Sequence, residues 1–155
     1  MFAPMPSRAF APVPAAASHG LAAAYGRIDV DTGVSASDPH ALIAMLYDGA
    51  LAQLARARAA MRAGDAAAKG DAIGRAARIV DEGLKASLDA RGGALAADLN
   101  ALYGYLSVRL LQANLRDDES ILQEVAGLLD TLRGAWAAIA PQARAAARSP
   151  AGMAA

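Results

Sequence analysis

Few residues in this chain have the chemistry for catalysis or metal binding, and their spacing argues against both. The sequence holds two histidines, His19 and His40, and no cysteine, so thiolate nucleophiles, disulfides and Cys-ligated zinc are excluded. A di-metal helical bundle requires Glu-x-x-His pairs projecting inward, and the sequence has none. His19 lies in a Pro/Ala-rich stretch, while His40 falls at the second position of a predicted helix and is expected on the surface. The run DVDTG at 29–33 has the start of a calcium loop. However, Val34 stands where that loop needs glycine, and His40 where it needs glutamate. Arg56, Arg58 and Arg62 cluster near the end of the first predicted helix and read as solvated cations that favour the helix dipole. A phosphate-binding loop, a dinucleotide fingerprint and a nucleophile elbow are all lacking. The expectation is a protein that is not an enzyme and uses no metal or cofactor.

The elements that carry these residues are helical. The 155 residues suffice for one domain with a sizeable core, and 55% are hydrophobic, much of that alanine, with only 5% aromatic. Fifteen basic and 15 acidic residues give a net charge of +0, which excludes a general electrostatic attraction to nucleic acid or to an anionic membrane. No apolar run approaches the roughly 20 residues that span a bilayer. The start, MFAPMPSRAFAPVPAAASHG, is interrupted by prolines at 4, 6, 12 and 14 and has a single arginine, so it reads as a tail rather than an export signal.

Four segments of helical period follow. The first opens at Asp38-Pro39, an N-cap with proline at the first helical position, and closes at Ala63-Gly64. The second starts near Asp65 with Ile73, Ala77, Val80, Leu84 and Leu88 on one face, and Arg91-Gly92-Gly93 is expected to end it. The third runs from about Ala94 to Leu115, with Leu95, Leu99, Leu102, Leu106, Leu110 and Ala113 in line. The fourth runs from about Asp118 to Ile139, with Ile121, Val125, Leu128, Leu132, Trp136 and Ile139, and stops at Pro141. Helices of such similar length joined by very short linkers must run antiparallel. The predicted architecture is all-α: an antiparallel up-down four-helix bundle over 38–140. A disordered tail over 1–20, an extended segment over 21–37 that packs on the bundle, and a disordered tail over 141–155 complete the chain. In the first helix Gly49 falls at the border of the apolar stripe, where it would let a partner helix approach closely. Asp48 points away from that stripe and reads as a solvated carboxylate.

The informative feature is surplus apolar surface. In the third segment Ala97, Ala101, Gly104, Val108, Leu111 and Leu115 form a second stripe almost opposite the leucine stripe, whereas a bundle helix needs one buried face. The second segment adds Ala72, Ile79, Gly83 and Ala86 beside its own core stripe. Such a mixture of small and aliphatic residues suits a shallow groove that receives an amphipathic helix. Covering by tertiary packing or by a homodimer is the alternative.

Five pieces in register resemble the flagellar secretion chaperone FliS family. They are Tyr25 with IDVDTGVSASDPH, LIAMLYDGAL at 42–51, KGDAIGRAARIVDEGLKASLD at 69–89, NALYGYLSVRLLQANLRDD at 100–118 and LRGAWAAI at 132–139. The resemblance implies a helical bundle of the bacterial cytosol, a monomer or weak homodimer. It implies binding to the C-terminal helical segment of flagellin, prevention of early polymerisation and delivery to the flagellar type III export apparatus. It further implies that the chaperone's own N-terminal segment, here Tyr25, Ile28 and Val30, plugs part of the groove before the client arrives. The sites expected for the client are Ile79, Gly83, Ala97, Ala101, Gly104, Val108, Leu111 and Leu115. LYDG matches a signature of the family, which leaves room for a role of Asp48 beyond solvation.

Overall fold

A computed structural model describes residues 38–142 and 145. The chain divides into two units, Met1–Asp38 and Pro39–Ala155, and the second is described here. The expectations for residues 1–37, including Tyr25, Ile28 and Val30, lie outside the described residues, as do those for most of 141–155; 141, 142 and 145 are helical.

Four long helices form in the places that the apolar periods require. α1 spans Pro39–Arg62, and α2 spans Ala66–Arg78 and continues as a π-helical stretch over Ile79–Lys85. A 3-10 turn over Ala90–Gly92 leads into α3, Gly93–Arg116, and α4 spans Glu119–Ala138. Each helix packs on its neighbours in a ring: α1 on α2 and α4, α3 on α2 and α4. The expected all-α up-down bundle is the architecture observed.

The helix ends follow from local chemistry. Gly64, at φ +71°, closes α1: its N–H donates to the Met61 carbonyl at 3.2 Å, and the Asp65 N–H reaches back to Ala60 at 2.9 Å. Asp65 then caps α2, accepting the Ala68 N–H at 3.0 Å. Asp118 caps α4 in the same way, accepting the Ser120 N–H at 2.9 Å. The glycine pair at 92–93 does not end α2 as expected. That helix already ends in the π turn at Lys85, and Gly93, at φ +62°, starts α3 instead.

The core is formed by Leu54, Val80, Leu84, Leu106, Leu110, Leu122, Val125 and Leu129, all fully buried. Ala72, expected beside the core, is inside it. Leu95 has the right azimuth but is 68% exposed, because the packed length of α3 begins one turn later at Leu99. The close helix approach expected at Gly49 occurs at Gly83 instead. A Cβ at Gly83 would lie 3.0 Å from Leu46 Cδ2, whereas one at Gly49 would meet Ile79 Cδ1 at an ordinary 3.5 Å.

Three polar contacts made by buried side chains tie distant segments together. His40, expected at the surface, is buried. Its ring stacks on Trp136 at 4.4 Å, its Nε2–H donates to the Trp136 carbonyl at 2.8 Å, and the indole N–H returns a bond to the His40 carbonyl at 2.8 Å. The start of α1 and the end of α4 are adjacent in an antiparallel pair, so a residue near a terminus can still be covered. Lys69 is 7% exposed and pairs with Asp117, the left-handed residue at φ 50° that ends α3, while also donating to the Asn114 carbonyl at 3.1 Å. Asp48 is exposed and accepts a 3.2 Å bond from Arg133, while Arg58 and Arg62 both engage Glu119.

The third contact is a buried hydroxyl pair: Tyr47 and Tyr103 hydrogen-bond at 2.6 Å across the bundle. Burial raises the pKa of Tyr47 against the opposing effect of the bond to Tyr103. For Tyr103 burial is again the largest cause, and the bond to Tyr47 raises it further. Because the folded values lie above the unfolded one, this contribution to stability is complete below about pH 10. It should be lost as the pH rises through the folded values. Urea denaturation between pH 9 and about 11.5 should show the decline, and it should be shallower in the Tyr47→Phe/Tyr103→Phe double variant. At neutral pH the single Tyr47→Phe change should cost more per hydroxyl than the double, since it leaves the Tyr103 hydroxyl buried and unpaired.

Candidate functional site: an exposed apolar face on α3

α3 buries one side and leaves the opposite side bare. Tyr103, Leu106, Leu110 and Ala113 are buried, whereas Val108 is 54% exposed, Leu111 59% and Leu115 75%. Ala97 and Ala101 continue the bare side toward the start of the helix, and Gly104 sits half-buried between them and Val108. At 1.5 Å per residue the stripe from Ala97 to Leu115 is about 27 Å long. A monomer rarely leaves contiguous aliphatic side chains of this kind in water without a partner for them.

The stripe has polar walls. On the α4 side Tyr105, 46% exposed, donates its hydroxyl to Glu124, and Arg109 donates to the same carboxylate at 2.9 Å and to Gln112 at 2.7 Å. The Arg109 bond first, and the Tyr105 bond second, hold the Glu124 pKa below the ordinary glutamate value. On the α2 side the Ser107 hydroxyl donates to Asp81 at 2.6 Å. The Lys85 amine lies 3.9 Å from the point where a Cβ on Gly104 would stand. Among the described residues no group of His, Cys, Asp and Glu side chains could hold a metal, and no helix is long and apolar enough to cross a membrane.

The structure therefore brings together six of the eight expected client-binding residues: Ala97, Ala101, Gly104, Val108, Leu111 and Leu115. Ile79 and Gly83 stand apart from them, on the seam with α1, where they meet Gly49 and Leu46. α2 lies between two neighbours, so its buried face is wider than one helical stripe and takes in this seam. Sequence reasoning missed the wall formed by Tyr105, Arg109 and Glu124. The four-residue spacing of Tyr105 and Arg109 was the available signal.

The exposed aliphatic side of α3 thus runs between polar side chains of α4 on one flank and of α2 on the other. The sequence matches the family described as Flagellar protein FliS over residues 21–143. The chain belongs to the FliS family. The flagellar secretion chaperone FliS of Salmonella typhimurium is 48% identical over 121 residues, 77% of this chain and 90% of the relative. The flagellar secretion chaperone FliSB of Pseudomonas aeruginosa is 42% identical over 113 residues, 72% of this chain and 89% of its own length. That of Escherichia coli K12 is 40% identical over 114 residues, or 73% and 84% of the two chains.

For this FliS-family chain, Gly104 separates the needs of the bundle from those of a partner. A Cβ there would meet nothing closer than the Lys85 amine, so Gly104→Ala should stabilise the free protein by about 0.5–1 kcal/mol through helix propensity alone. Urea denaturation measures this directly. Where a partner helix lies against the same glycine, the added methyl should weaken its binding.

Proposed function

We propose that this protein is a flagellar secretion chaperone that captures the C-terminal helical segment of flagellin on the exposed face of α3. It thereby keeps that segment from polymerising early and assists its transfer to the type III export apparatus in the cytosol. The observation that carries the reading is the open stripe ending in Val108, Leu111 and Leu115, on a chain whose relatives are named flagellar secretion chaperones. The chemistry is binding without catalysis. An unfolded amphipathic segment gains about 25 cal/mol for each Å² of apolar surface it buries, and loses part of that gain to its own ordering. Ile79 and Gly83 belong to the proposal as a second line of contact, reached where the client extends past α3 onto α2. Tyr25, Ile28 and Val30 are proposed to occupy client-binding surface in the free protein, a role implied by the family resemblance.

The test is calorimetric titration with a flagellin C-terminal peptide from the same organism, using the full chain and a chain lacking residues 1–30. Saturable one-to-one binding with a negative heat-capacity change is expected for both, and tighter for the shortened chain. Absence of binding in both at high micromolar concentration overturns the reading. A concentration-dependent dimer in sedimentation would then assign the stripe to self-association.

A further inference from the structure

We infer that Lys85 is a specificity-determining cation of the α3 groove, which pairs with a side-chain carboxylate flanking the apolar face of the bound helix. The inference rests on the proposed function and names which helices the groove accepts. Among the described residues the Lys85 side chain has no hydrogen bond and no ion pair. Asp81, four residues before it on the same helical stretch, turns instead to Ser107 at 2.6 Å. Lys85 is half-buried, with its amine beside Gly104, at the middle of the stripe rather than out in solvent. On the opposite wall the cation is already matched, because Arg109 is held by Glu124 at 2.9 Å. The two walls are therefore unequal: the cation of one is paired with a carboxylate, whereas on the other Lys85 and the Ser107-bonded Asp81 form no ion pair.

That asymmetry has a physical consequence for any helix that docks. A helix lying against Val108 and Leu111 takes further water away from the Lys85 ammonium, and an ammonium dehydrated without a partner is unfavourable. An aspartate or glutamate beside the client's apolar face removes that penalty and fixes the rotation of the helix in the groove. A basic residue at the same place is rejected by like charge.

The experiment titrates the full chain and its Lys85→Met, Lys85→Glu and Lys85→Arg variants with the flagellin C-terminal peptide, at about 0.05 M and 0.5 M salt. A second peptide has the acidic residues flanking its apolar face changed to their amides. The expected result is a loss of about tenfold for Lys85→Glu and a smaller loss for Lys85→Met, with near-native binding for Lys85→Arg. These differences should shrink at high salt and disappear with the amide peptide. Melting temperatures of the variants check folding, and Lys85→Met, which keeps the apolar stem, remains informative if Lys85→Glu does not fold. Native affinity and native salt dependence in Lys85→Met and Lys85→Glu overturn the inference while leaving the proposed function standing. Failure of the unaltered chain to bind either peptide overturns both.

Discussion

Leu111→Asp is expected to weaken binding of the flagellin C-terminal peptide at least about a hundredfold and to leave the melting temperature within about 3 °C of the parent. The side chain is 59% exposed, so the bundle does not depend on it, and a carboxylate there is well hydrated in the free protein. In the complex the same carboxylate would sit at the centre of a dehydrated apolar contact, where truncations and charges have their largest effects. Calorimetry and thermal denaturation on one preparation measure both halves. A collapse of the melting temperature would place Leu111 in the core and remove the groove from α3.

Its neighbour should behave in the opposite way. Leu110 is fully buried, and Leu110→Ala is expected to cost about 2–5 kcal/mol, since it removes apolar contacts and leaves a cavity among rigidly packed side chains. For a bundle of this size that lowers the melting temperature by more than about 10 °C. Leu111→Ala should stay within about 0.5 kcal/mol. Urea denaturation of the two alanine variants gives the comparison, and equal costs would contradict the assignment of opposite faces to adjacent leucines.

Much of the fold could be read from the sequence because its signals are local. Pro39, the Gly64-Asp65 pair and Asp118 mark helix ends through backbone geometry and capping that need no tertiary partner. The second stripe on α3 was legible for the same reason, as six residues repeat with the period of one helix. What was not legible depends on which segments meet. His40 and Trp136 are separated by 96 positions, and nothing in either neighbourhood indicates their mutual stacking. Tyr47 and Tyr103 fall within otherwise apolar patterns, and Lys69 looks like any surface lysine until the end of α3 delivers Asp117 to it. The seam that takes in Ile79 and Gly83 likewise follows from α2 having two neighbours.

The central claim is that flagellin's C-terminal segment lies on the bare face of α3, and site-specific photo-crosslinking tests it most directly. A benzophenone amino acid replaces Val108, Leu111 or Leu115 in turn, with Ala55 and Asp130, exposed on α1 and α4, as controls. The account predicts adducts with full-length flagellin from the three α3 positions and none from the controls. Adducts from Ala55 or Asp130, with none from α3, would contradict it.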